Sequence, residues 1–259
     1  MFRFLIASCL LSFSTPVTAQ AVPDDVVRLE IDTGWRETDG SHMAGLTFHL
    51  APGWKTYWRA PGDGGIPPRF NWSGSQNVTG ASVQFPVPDV SVINGIRTIG
   101  YKDAVTLPLR FATVDASKPV TLRGEVELGV CEEICVPVTV SFQAVLPAKG
   151  KATEHLKGAI ADRPSRKGAM TCQISPIADG LLLVATTDLP QMGNDEVVVI
   201  EAREAGVWVS NAITTRNDGR LSAEVEMVPP SAQPFALARS GVRMTILAGG
   251  RAVEMIGCN

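Results

Sequence analysis

Histidine is scarce, at 3 residues in 259, and aromatic residues make up only 6% of the chain. His42, His49 and His155 stand too far apart for a paired-histidine metal motif. Past residue 21 no apolar run approaches the ~20 residues that cross a bilayer as a helix, so no membrane insertion of the mature chain is expected. Positive charge is not in excess: 23 Lys and Arg against 26 Asp and Glu give a formal net charge of −3. Nucleic acid calls for a clustered basic surface and is not an expected partner. The run Pro61-Gly62-Asp63-Gly64-Gly65 lacks a Lys-Ser/Thr ending and the GxGxxG order, which excludes a phosphate loop. No cofactor is implied. Met170, Met192, Met227, Met244 and Met255 are too scattered for a copper ladder.

What is abundant is turn chemistry, with 24 Gly and 18 Pro, and between the turns run short alternating stretches rich in β-branched residues. Val26 to Ile31, Met43 to Leu50, Val105 to Phe111, Val120 to Leu128 and Val136 to Val145 read as strands, with a shorter one starting at Val83. Asp89 to Gly100 reads as a loop with Asn94-Gly95 as its turn. A second set follows at Thr171 to Ile174, Leu181 to Thr186, Glu196 to Glu201, Val207 to Ile213, Leu221 to Met227, Val242 to Leu247 and Ala252 to Cys258, with Asn217-Asp218-Gly219 as a hairpin turn. The expected fold class is all-β, two immunoglobulin-like β-sandwich domains in tandem, at residues 22–148 and 168–259. Residues 149–167 form a basic linker with room for a short helix at Thr153 to Ala161, stopped before Pro164. Residues 1–21 read as a cleaved secretory signal: Arg3, an apolar core from Phe4 to Phe13, and Ala19-Gln20-Ala21 before Val22. Cys9 lies inside that apolar core, too early for a lipoprotein box.

Removing Cys9 leaves four cysteines, and an even number in an exported chain suggests two disulfides. Neighbour pairing is the simplest of the three connectivities. Cys131 and Cys135 sit at the neck of a hairpin, where facing positions are about 4.5 to 5.5 Å apart at Cα, within reach of a disulfide. So small a ring constrains the unfolded chain little. Spacing alone leaves a redox pair and an inert pair both open. Cys172 with Cys258 would close a loop of about 85 residues, the profile of a structural bridge.

The residues around the cysteines are more specific. Gly53-Trp54-Lys55-Thr56-Tyr57-Trp58-Arg59-Ala60-Pro61-Gly62-Asp63-Gly64-Gly65-Ile66-Pro67-Pro68, then Gly100-Tyr101-Lys102-Asp103 with Leu107-Pro108-Leu109, then Cys131-Glu132-Glu133-Ile134-Cys135-Val136-Pro137, resemble the periplasmic amino-terminal domain of the DsbD and ScsB family of disulfide reductases. The resemblance implies a periplasmic thiol-disulfide exchange protein. It would relay electrons through Cys131 and Cys135 between a separate membrane-embedded disulfide reductase and periplasmic thioredoxin-like proteins. It also implies a cap over the cysteines near Ile93 and Asn94. Trp54, Tyr57 and Trp58 are either core or a wall shielding the sulfurs, and Tyr101 is either a strand residue or a neighbour of the sulfurs. Glu132 and Glu133 oppose a thiolate by like-charge repulsion with no cation beside them in sequence, which predicts a pair that is slow without a docked partner. Two rivals remain: a Cu(I) site on Cys131 and Cys135, since soft sulfur suits that ion, and a structural adaptor with both disulfides inert.

Overall fold

The computed structural model describes residues 26–93 and 95–259. The expected signal sequence, with Cys9, and the cap residue Asn94 lie outside the described residues. The first unit contains β1 (Val27–Arg36), β2 (His42–Leu50), β3 (Lys55–Gly62), β4 (Arg69–Asn71), β5 (Gly80–Val83), β6 (Asp89–Ile93), β7 (Ile96–Lys102), β8 (Ala104–Ala112), β9 (Val120–Cys131) and β10 (Cys135–Leu146). One sheet runs β1-β2-β8-β5. The other runs β10-β9-β3-β7-β6, with β4 paired to β9. Along β9 the pleat alternates, Val120, Leu122, Val126 and Leu128 facing the core while Arg123, Glu125 and Glu127 face solvent. That alternation fails at its end, where Gly129, Val130 and Cys131 are all buried, so something covers the outer face there.

The stretch read as a loop from Asp89 to Gly100 is a hairpin, β6 against β7, with Ile93 paired to Ile96 and Gly95 at positive φ. The strand near Val83 lies earlier than expected, at Gly80–Val83, and Phe85 beyond it joins the core. The basic segment after β10 is not a free linker. Thr153 caps α1 (Glu154–Ala161), its hydroxyl accepting from the Leu156 N–H, and Leu156 is fully buried. Gln84 donates to the carbonyls of Ala159 and Ile160, and His155 is hydrogen-bonded to Thr106. These contacts dock α1 on the first sandwich.

The second unit contains β11 (Ser165–Arg166), β12 (Thr171–Ile177), β13 (Gly180–Thr187), β14 (Val197–Glu201), β15 (Trp208–Val209), β16 (Ile213–Asn217), β17 (Arg220–Val228), β18 (Arg243–Ala248) and β19 (Arg251–Ile256). Its sheets run β11-β19-β18-β14 and β12-β13-β17-β15, with β16 also on β17. The run from Val207 to Ile213 is therefore not one strand: it holds β15 and ends where β16 begins. Asp218 and Gly219 both take positive φ, 51° and 83°, as a two-residue hairpin turn requires. The two immunoglobulin-like sandwiches share a boundary: Leu247 and Ala252, with Val197 and Val199 beside them, pack into the first unit's core cluster.

Candidate active site

In the β9–β10 ladder Cys131 faces Cys135, with Glu132, Glu133 and Ile134 as the turn. The two are joined as a disulfide, Cα to Cα 4.2 Å. Their environments differ: Cys131 is 1% exposed, whereas Cys135 lies open to solvent. An incoming group therefore reaches one sulfur and leaves the other in the protein.

Register explains what surrounds the buried sulfur. On β3, the alternation sends Thr56 to the core face and Lys55 and Tyr57 to the outer face. Trp58 is 0% exposed within the core cluster, and Trp54 packs at its edge. Tyr101, opposite Thr56 on β7, is also a core residue, and its hydroxyl donates to the Pro86 carbonyl at 2.9 Å. Of the aromatic residues expected around the sulfurs, only Tyr57 is in contact with them. Its hydroxyl lies 2.7 Å from Cys131 Sγ and 3.0 Å from Cys135 Sγ. Burial pushes the Tyr57 hydroxyl above its ordinary value, which keeps the proton on oxygen and the group a donor.

Two glycines make room for that ring. A Cβ at Gly129 would fall 2.7 Å from Ile66 Cβ and 3.1 Å from Tyr57 Cδ2, and one at Gly65 would fall 2.7 Å from Tyr57 Cδ1. The ring thus lies between β9 and the glycine-rich loop, which is what covers the end of β9. The Gly64 carbonyl of this loop is 3.7 Å from Cys135 Sγ. The tip of the β6–β7 hairpin leans on the same loop, with Ile96 Cγ2 3.0 Å from a Cβ placed at Gly64. Ile93 ends β6, paired with Ile96. Val92, Ile96 and Ile134 are exposed apolar residues, at 62%, 52% and 73%.

Sequence order hid one neighbour. Lys55 is the ladder partner of Cys131, and Lys102 is the partner of Lys55. Facing residues share one side of a sheet at about 5 Å, so a lysine starts from the position opposite the buried cysteine, which adjacency in sequence does not reveal. The failure of alternation in Leu128-Gly129-Val130-Cys131 is the one sequence signal of a covered outer face.

Cys172 and Cys258 are joined in the second sandwich across 86 positions, Cα to Cα 5.4 Å, with Cys172 in its core. Among the described residues no group of three or more His, Cys, Asp and Glu is placed to hold a metal ion. A cavity of about 1130 Å³ lies between the sandwiches, lined among others by Arg59, Arg110, Arg166, Arg243 and Glu254. Neither cysteine of the hairpin lines it.

Comparison with known proteins bears on this arrangement. The family model of the thiol:disulfide interchange protein DsbD, N-terminal, matches residues 19–147. The crystal structure of the N-terminal periplasmic domain of ScsB from Proteus mirabilis is similar at a TM-score of 0.63 and 23% identity, covering 92% of this chain and 97% of that one. That likeness is one of fold and extends across both sandwiches. A marsupial T cell receptor chain aligns over 92% of this chain and 97% of its own with a TM-score of 0.21 and 8% identity, and carries no argument. No curated protein matches.

Proposed function

Because the chain belongs, through residues 19–147, to the family of the DsbD amino-terminal thiol:disulfide interchange domain, we propose that Cys131 and Cys135 relay electrons by thiol-disulfide exchange. The observation that carries this reading is a protonated tyrosine hydroxyl within hydrogen-bond distance of both sulfurs of a bond that is buried at one end and open at the other.

In the oxidised protein a donor thiolate attacks Cys135 Sγ, the exposed sulfur. The S–S bond breaks, a bond from the donor sulfur to Cys135 forms, and the electron pair departs on Cys131 Sγ. Negative charge thus develops on the buried sulfur 2.7 Å from the Tyr57 oxygen, where a donor held in place stabilises it. A second donor thiolate then displaces Cys135, leaving both cysteines reduced by two electrons and the donor oxidised. In the forward direction Cys135 attacks an acceptor disulfide and Cys131 resolves the mixed disulfide, releasing the acceptor as a dithiol. The family supports a membrane reductase as donor and thioredoxin-like proteins as acceptors, and the periplasm as the compartment. Among the described residues no helix is long and apolar enough to cross a membrane.

The test is thiol trapping in periplasmic extract. Cys131→Ala, which keeps the exposed sulfur and loses the resolving one, accumulates a mixed disulfide with a thioredoxin-like partner; Cys135→Ala and the double variant do not. If no variant captures a partner while the reduced wild type holds Cu(I) through the same two sulfurs, the copper reading replaces this one.

A further inference from the structure

β3 loses its sheet partners at Tyr57. Toward β9 its paired residues are Lys55 and Thr56, and toward β7 the register breaks after Tyr57 and resumes only at Gly62, opposite Thr98. Residues 58–61 therefore carry the chain from Tyr57 into the glycine-rich loop without a regular ladder to fix them. Trp58 is held inward by the core. The other holder is Arg59, whose guanidinium sits 4.0 Å over the Trp58 ring and makes all of its hydrogen bonds with the second sandwich. Nε donates to both carboxylate oxygens of Glu201, at 3.0 and 3.1 Å; Nη2 donates to Glu254 Oε2 at 2.8 Å and to Thr245 Oγ1 at 3.4 Å.

These three acceptors are one patch. Ladder pairing sets Val199 opposite Thr245, Glu201 opposite Arg243, and Thr245 opposite Glu254, which puts all of them on the face of β14, β18 and β19 turned toward the first sandwich. The Arg59 and Glu254 side chains are only 16% and 9% exposed. The second sandwich also reaches the loop beyond: the Asn211 side-chain amide donates to the Asp63 carboxylate, one residue before the Gly64 carbonyl that approaches Cys135 Sγ.

We propose that the second sandwich is the positioning element of the sulfur site, with Arg59 as its positioning residue. The planar, two-pronged grip on Glu201 and Glu254 fixes the strand two residues past Tyr57 and so keeps the Tyr57 hydroxyl on the sulfurs. An ion pair of this burial contributes little net stability against an apolar replacement but specifies geometry. The proposal rests on Cys131–Cys135 being an exchange centre, and its test separates the two.

The experiment measures, in the full-length oxidised protein, the second-order rate at which dithiothreitol reduces Cys131–Cys135, for wild type, Tyr57→Phe, Arg59→Met, Arg59→Lys, Glu201→Gln and the Tyr57→Phe/Arg59→Met double variant. Arg59→Met is expected to slow reduction several-fold, Glu201→Gln less, and Arg59→Lys to recover part of the loss because charge returns without the fork. The double variant is expected to be no slower than Tyr57→Phe alone, since Arg59 acts through that hydroxyl. Should Arg59→Met not fold, the same cycle is run with Glu201→Gln. Wild-type rates in the Arg59 and Glu201 variants, or losses that multiply with Tyr57→Phe, overturn the positioning role and leave the exchange centre standing. A wild-type pair that resists dithiothreitol as stubbornly as Cys172–Cys258 overturns the exchange centre itself.

Discussion

Replacing Tyr57 with Phe removes one oxygen and leaves the ring between Gly65 and Gly129. That oxygen touches Cys131 Sγ at 2.7 Å and Cys135 Sγ at 3.0 Å, and the Gly64 carbonyl only at 3.5 Å. Disulfide sulfurs are weak acceptors, so the oxidised protein is expected to lose about 1 kcal/mol of stability or less. The reaction is affected more. As a nucleophile attacks the exposed Cys135, charge builds on Cys131, which is 1% exposed and has no solvent to turn to. A hydrogen bond to a charged group contributes about 1.5 to 3 kcal/mol, and only the strengthening between ground and transition state counts toward rate. At about 1.36 kcal/mol per factor of ten, Tyr57→Phe should slow reduction roughly 10- to 100-fold. Stopped-flow reduction by dithiothreitol at fixed pH measures this, with thermal melting as the control on fold. Because burial raises the Tyr57 pKa above its ordinary value of 10.0, the hydroxyl stays protonated through the neutral range, and the ratio of the two rates should stay flat there. Rates within about twofold of each other, well short of the tenfold that 1.36 kcal/mol represents, refute the assignment of Tyr57 as the group that receives the developing charge.

Lys55→Met should slow the same reaction a few-fold at low salt, with the difference fading in concentrated salt as screening removes the cation's contribution; an equal effect at all salt concentrations would point to packing instead. Cys172→Ala should lower the melting temperature strongly, because the bridge closes a loop of about 85 residues worth roughly 4 to 5 kcal/mol before strain, while the rate at Cys131–Cys135 per folded molecule stays unchanged; peptide mapping of free thiols checks that only this bridge is gone. His42 is fully buried with Nε2 donating to the Thr33 carbonyl at 2.7 Å and Nδ1 without a partner; burial chiefly, with the nearby Arg36 charge, lowers its pKa from 6.5. The unfolded chain therefore binds the extra proton first, so stability should fall as pH drops below about 6.5, and melting curves of His42→Gln should lose that part of the acid slope.

The hairpin and its facing cysteines were legible because the information is local: two alternating arms and three residues between them fix register. The turn at Asn217-Asp218-Gly219 was legible for the same reason. Asp89 to Gly100 was misread because Pro86, Pro88 and Asn94-Gly95 look like loop punctuation, yet the turn residues sit between five- and seven-residue strands, and a short hairpin on a sheet edge needs no strong propensity of its own. Trp54, Tyr57 and Trp58 read in the sequence as either core or wall, and the pleat decides which contact each makes: Trp58 lies in the core, Trp54 packs against it, and the Tyr57 hydroxyl reaches the sulfurs. Trp54 and Trp58 share a parity opposite to that of Tyr57, and once β3 is a strand only one aromatic side chain faces the sulfurs. Arg59 was illegible for a different reason: its partners lie 142 and 195 positions away, and nothing in either local sequence marks them as complementary.

The same distinction between chain neighbours and sheet neighbours changes the charge argument at Cys131. Read along the chain, Glu132 and Glu133 dominate and oppose a thiolate. Both are exposed, and Glu132 turns back over the bend at Gly53, its Oε1 3.1 Å from a Cβ placed there. In a water-like dielectric a unit charge at 4 Å exerts about 1 kcal/mol, whereas near a protein surface the figure is about 4 kcal/mol. Lys55 is nearer the second case than the glutamates are, since it is half-buried and is the ladder partner of Cys131, whereas they are exposed. The buried sulfur therefore has a hydroxyl donor at 2.7 Å and a lysine as its ladder partner, while Glu132 and Glu133 are exposed. That arrangement favours charge on Cys131 as the leaving and resolving sulfur, and leaves the acidic turn and Ile134 at the mouth, where they meet the incoming partner rather than the electrons it delivers. In the proposed exchange, attack is limited to the one exposed cysteine, Cys135, and the Tyr57 hydroxyl assists departure of Cys131 once Cys135 is reached.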